Sequence, residues 1–122
     1  MERKHHKLRA WQQAVALVKS VYRASSGFPR DELYGITAQM RRAAVSVPAN
    51  IAEGAARATD REFAHLLVVA RGSLSELETH VIVAKELGLL AEEQALREEI
   101  DQVFMLVGGL LNSARVARGD DG

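Results

Sequence analysis

The stretch RRAAVSVPANIAEG, Arg41 to Gly54, decides how this chain folds. Met40, Ala43, Val47, Ile51 and Gly54 recur at three- and four-residue steps, which places them on one face of a helix. Pro48 falls inside that register. It has no N–H to donate, and its ring crowds the carbonyl of Ala44, a cost of about 3 kcal/mol in an ordinary helix interior. The apolar register nevertheless continues past it. The stretch therefore predicts one helix, kinked at Pro48, rather than two.

Outward from it, the same spacing recurs three more times. Leu8, Trp11, Val15, Val18 and Tyr22 mark a first helix. Leu33 and Ile36 extend the second helix back towards Pro29. Phe63, Leu67, Ala70, Leu74, Leu77, Val81 and Ala84 mark a third, and Leu96, Ile100, Val103, Val107, Leu110 and Ala114 a fourth. The punctuation agrees. Gly27 ends the first helix, and Pro29 with Asp31 and Glu32 opens the second. Thr59 to Glu62 reads as a capping box for the third, Gly88 ends it, Glu92 and Glu93 open the fourth, and Gly119 closes it. No segment alternates with period two. Short connections predict antiparallel neighbours, so the fold class is all-α: an up-down-up-down four-helix bundle in a single domain, 1–122. A basic arm (1–7) precedes it and a frayed tail (119–122) follows. The second and third helices are expected to run near 25 residues each, about 38 Å.

Apolar residues make up 48% of the 122, enough for one real core. There is no cysteine, hence no disulfide frame and no thiol chemistry. No apolar run reaches the ~18–20 residues of a membrane-spanning helix, and the N-terminus lacks a signal-like run, so a cytoplasmic protein is expected. Leu66, Val68, Val69, Ile82 and Val83 on the third helix, and Phe104, Met105, Leu106 and Leu111 on the fourth, widen the apolar surface beyond what one core needs. That predicts a homo-oligomer built through those two helices.

Two polar patterns are candidate sites. Gln39, Arg42, Ser46, Asn50, Glu53 and Arg57 form a stripe beside the apolar face of the second helix. Ser73, Glu76 and His80, next to Gly72, form a comparable row on the third. Facing one another or a second subunit, these rows would make a hydrogen-bonded cluster, with Arg42 forked onto Glu53 or Glu76. Facing water, they are ordinary helix surface. The second pattern is charge. The net charge is zero, but residues 1–30 carry seven Lys/Arg against Glu2, and residues 76–101 carry eight acids against Lys85 and Arg97. The candidate nucleic-acid contacts are Arg3, Lys4, Lys7, Arg9, Lys19, Arg23, Arg41, Arg42, Arg57 and Arg61. Few aromatic residues are available to stack bases, so such contacts would be backbone-directed. The same charges could instead join basic to acidic faces between subunits.

No catalytic residue or metal ligand set emerges. A di-iron bundle needs two Glu-x-x-His pairs and two further glutamates, whereas Glu62-x-x-His65 stands alone here. Glu76 and His80 share a face only at i, i+4, and His5 and His6 lie in the basic arm, expected in solvent. No cofactor is expected.

These residues give the chain a family resemblance. Trp11 with Ala14, FPRDELYGITAQMRRAAVSVPANIAEG from Phe28 to Gly54, Arg57, EFAHLLVVARGSLSELETH from Glu62 to His80, and Leu87-Gly88 resemble the small bacterial four-helix-bundle proteins named for intervening sequences in 23S ribosomal RNA genes. The resemblance covers roughly Leu8 to Leu90 and fades through the fourth helix. It implies an up-down-up-down bundle, assembly as a ring of five, and kinship with accessory proteins of diversity-generating retroelements. Those bind nucleic acid through basic surfaces and partner a reverse transcriptase. It implies no settled biochemical activity. Three readings follow: a non-enzymatic homo-oligomer that binds or scaffolds RNA or DNA together with another protein; a purely structural protein–protein interaction module; and, weakest, a metal-binding or enzymatic bundle.

Overall fold

The three- and four-residue spacing of apolar side chains folds into four α-helices in a computed structural model, which describes residues 1–117 and 119. They are α1 (Arg9–Ser25), α2 (Ala38–Ala55), α3 (Asp60–Glu86) and α4 (Glu93–Ala117). There is no strand among the described residues. Of the tail expected over 119–122, residues 120–122 lie outside them.

Each helix packs against its two neighbours around a square: α1 and α3 both lie against α2 and α4. Ser46 of α2 meets Ser73 of α3, and further along α2 Gly54 meets Phe63 and Leu66. One helix advances as the other retreats, so the pair is antiparallel. Ser25 near the end of α1 is bonded by Arg41 near the start of α2, and Ser20 reaches Glu99 early in α4. The course is therefore up-down-up-down. Two ends result. One gathers the N-terminus, the α2–α3 turn and the end of α4; the other gathers the α1–α2 and α3–α4 connections.

The core register of α3 is as expected: Phe63, Leu67, Ala70, Leu74, Leu77, Val81 and Ala84 are all buried. The register of α1 is not. Ala10, Ala14, Leu17, Val21 and Ser25 are buried, while Val15 and Tyr22 are exposed and Leu8, Trp11 and Val18 are half-buried. Alanines let α1 sit close to its neighbours, so the bulkier side chains are turned towards the edge of the contact. On α4 it is Leu111 that is buried and Leu110 that is half-buried, one position from the expected seam.

The second helix is shorter than expected. Arg30–Glu32 is a 3₁₀ turn and Leu33–Thr37 a π-turn, broken at Gly35, whose backbone is non-helical (φ −102°, ψ −117°). Leu33 is exposed as a result, and α2 proper is 18 residues, about 27 Å. Within α2 the helix passes Pro48 without a break. Ala44 loses its usual N–H donor there. Against that cost the Pro48 ring is buried in the register with Val47 and Ile51.

The ends of α3 follow their sequence signals. Thr59 Oγ1 accepts from the N–H of Glu62 at 3.2 Å, although Glu62 makes no return bond, so only half of the expected capping box forms. At the other end Gly88 takes φ +76°, with Gly88 N–H on the Lys85 carbonyl and Leu89 N–H on that of Ala84, both at 3.0 Å. This closure uses the left-handed conformation that glycine adopts without a Cβ clash.

Candidate nucleic-acid interface

The N-terminal segment is not a free arm. Lys4–Lys7 forms a 3₁₀ turn that packs against α1 and α2. His6 Nδ1 accepts from the Arg3 N–H at 2.9 Å, and Gln12 Nε2 donates to the His6 carbonyl at 2.8 Å, which fastens the turn to α1. His5 and His6 stand against Trp11, with ring centroids 5.0 and 5.3 Å away, and both are half-buried rather than in open solvent. That partial desolvation, with His6 and Arg3 adding repulsion, holds the His5 pKa below the usual histidine value. His5 therefore adds little to the positive charge of this end near neutral pH.

The Lys4 ammonium lies 4.9 Å over the Phe63 ring, at the start of α3. This contact brings the basic turn to the same end of the bundle as Arg57 and Arg61. Arg9, the first residue of α1, belongs to that end too. Beside it Arg57, Thr59, Arg61, Glu62, His65 and Leu66 line an open depression of about 750 Å³. The Arg57 guanidinium pairs with Glu53 at 2.6 Å, both about half-exposed. Such a surface pair adds little stability, but it fixes where the guanidinium lies.

The other four predicted contacts are not part of this end. Arg23 lines a shallow depression together with Ser20, Glu92 and Glu99. Lys19 lies on the same half of α1. Arg41 donates through Nε to Ser25 at 2.9 Å and stacks on Tyr22 at 4.5 Å. Arg42 is exposed beside it. The ten basic candidates thus divide into six at one end and four along the opposite half.

The polar rows meet in part. Ser46 and Ser73 hydroxyls lie 2.6 Å apart across the α2–α3 groove, and Asn50 Nδ2 donates to the Ser46 carbonyl at 2.8 Å and to its hydroxyl at 3.1 Å. All three side chains are half-buried. Gln39, Arg42, Glu53 and Glu76 remain exposed outside this cluster. Arg42 forks onto neither carboxylate: Glu53 is taken by Arg57, and Glu76 by His80 at 3.4 Å. The cluster sets the register of α2 on α3 rather than forming a charged site.

Five apolar side chains named from the sequence, Val68, Val69, Ile82, Val83 and Met105, are exposed, and Leu66, Phe104 and Leu106 are half-buried. Leu111 belongs to the core instead. Val69, Gly72, Glu76 and Val83 fall along one outward strip of α3, which Leu87 continues at the C-cap. Among the described residues no three His, Asp or Glu side chains gather as a metal site, and no helix is long and apolar enough to cross a membrane. The depression at the basic end and the docking of Lys4 on Phe63 were not legible in the sequence, since both depend on the 3₁₀ turn folding back. The pattern Lys4…Trp11, with two histidines between, was the only available signal.

A family model described as 23S rRNA-intervening sequence protein matches residues 6–109. No curated protein matches the sequence.

Proposed function

The chain belongs to the 23S rRNA-intervening sequence protein family, and on that premise we propose that it is a non-enzymatic, homo-oligomeric bundle whose basic end binds nucleic-acid backbone. The observation that supports this reading is the docking of Lys4 on Phe63, which brings the basic N-terminal turn to the end of the bundle where Arg57 and Arg61 lie. The acids of residues 76–101 belong to the end of α3 and the start of α4, hence chiefly to the opposite end, away from the six basic side chains of the proposed interface. Six basic side chains per copy, repeated round a ring, turn individually weak phosphate contacts into useful affinity. The ring we propose has five copies, acts in the cytoplasm and serves as a scaffold for a further protein. The non-enzymatic part of the reading is supported by Glu62 and His65, both exposed at the rim of an open depression rather than desolvated for proton transfer.

The exposed apolar side chains of α3, Val68, Val69, Ile82 and Val83, favour a second reading, an interaction module in which nucleic acid plays no part. Fluorescence anisotropy of the purified protein with labelled single-stranded RNA and duplex DNA separates the two. The proposal predicts binding at about 50 mM salt that weakens steeply by about 200 mM, with little sequence preference. Absence of binding at low salt, or affinity indifferent to salt, would leave the interaction module as the better account.

A further inference from the structure

Two separate faces of the single chain are left apolar. On α3 the exposed Val68 and Val69 form one pair and Ile82 and Val83 another, about four turns or ~21 Å further along the same outward side. At the α1–α2 corner Tyr22, Leu33, Tyr34 and Val45 are exposed, and Tyr34, carried on the turn broken at Gly35, is 92% exposed. These four line one depression of about 510 Å³ with Arg41 and Arg42. A lone apolar side chain at a surface needs no partner, but groups of four mark contact surfaces, and tyrosine beside arginine is their usual composition.

The charges on the two faces are opposite. Between the two apolar pairs α3 exposes Glu76, which bonds only to His80 of its own helix at 3.4 Å. Arg71 and Lys85 lie about 100° or more round the helix from Gly72, on the side away from Ser73. At the corner Arg42 is exposed and Arg41 gives its Nε to Ser25, and among the described residues neither pairs with a carboxylate. Glu32 of the preceding turn lies beside Gly35 instead, where a Cβ would be 3.3 Å from its Oε2. Gly72 adds a further sign. It is exposed in the middle of α3, and a Cβ there would meet nothing within 4 Å. The chain itself gives no reason for a residue that weakens a helix interior; a second copy lying close against the strip supplies one.

Resting on the homo-oligomer proposed above, we infer that its copies meet head to tail: the outward face of α3 in one copy seats on the α1–α2 corner of the next. The apolar pairs of α3 then cover Tyr22, Tyr34 and Val45, and Glu76 meets Arg41 and Arg42. An α3–α3 contact about a twofold axis would set Glu76 against an equally acidic strip, leave the corner uncovered and close at two copies. A ring of five closes only through two different faces. The contact also gives Arg41 and Arg42, which stand apart from the basic end, a partner of opposite charge.

Light scattering on the full chain and two variants tests the contact. Tyr34→Asp spoils the corner and Gly72→Arg the strip. Each alters an exposed position, and circular dichroism should show both variants folded. Wild type is expected to assemble and each variant to run as a single 13.4 kDa chain. An equimolar mixture of the two should give a 1:1 complex of twice that mass and nothing larger, because one intact strip then meets one intact corner. Arg42→Glu and Glu76→Arg leave both apolar faces whole. Each alone should weaken assembly at least about tenfold, and the two together in one chain should restore it. If wild type assembles and either Tyr34→Asp or Gly72→Arg assembles equally well, or the two do not combine, the head-to-tail contact is overturned and the oligomer stands. A wild type that is itself a single chain would overturn the oligomer proposed above, and this contact with it.

Discussion

Gly54→Val is expected to lower the stability of this protein by about 2–3 kcal/mol, or roughly 8–12 °C in melting midpoint. A Cβ at Gly54 would lie 2.9 Å from Phe63 Cδ1, 3.1 Å from Leu66 Cβ and 3.4 Å from the Phe63 carbonyl oxygen. The Phe63 ring can swing, but Leu66 Cβ and the carbonyl are fixed to the backbone of α3. The helices must therefore part just where α2 runs into its turn. Helix propensity works the other way, since valine is the better helix former by a few tenths of a kcal/mol, and steric overlap outweighs it. Gly109→Ala is the natural control. Nothing lies within 4 Å of a Cβ there, and in α4 the change should stabilise by about 0.5–1 kcal/mol. Circular-dichroism melts of both variants decide the matter. Equal midpoints would mean that α2 and α3 do not approach as closely as described.

The second large effect concerns binding. Lys4, Arg57 and Arg61 replaced together by glutamate should weaken affinity for RNA by about 10²–10³ at low salt and flatten the log–log salt dependence by about two to three. All three belong to the basic end, and each substitution both removes a phosphate contact and adds repulsion. Reversal of Lys19 and Arg23, two charges against three, is the control, because both lie away from the basic end. Its effect should stay within about threefold, as for charges that make no phosphate contact. Equal losses in the two variants would mean that overall charge, and not this end, governs binding.

The fold was legible where large aliphatic side chains carry the periodicity. On α3 every expected core position is buried, because Phe63, Leu67, Leu74, Leu77 and Val81 are both the bulky residues and the buried ones. The same weighting failed on α1, where Ala10 and Ala14 make the close contact and Val15 and Tyr22 do not. The start of α2 was misplaced because Pro29 and the first-turn acids signal a helix there, while the break comes from Gly35, which spacing alone treats as one more residue. Of the polar stripe, Ser46, Asn50 and Ser73 met as their spacing allowed, since all three are short and side by side across one groove. The basic residues were legible as a set but not as a place. Their division into two groups needs the N-terminal turn to fold back and the chain to run up and down.

Both the proposed ring and the multiplied phosphate contacts rest on a second copy covering the outward strip of α3, where Val69, Val83 and Leu87 are 39%, 41% and 60% exposed in the single chain. Light scattering coupled to size-exclusion chromatography measures this directly. The account predicts a concentration-stable mass that is a multiple of the 13.4 kDa chain, fivefold for the proposed ring. A particle that remains at 13.4 kDa at micromolar concentration would contradict it.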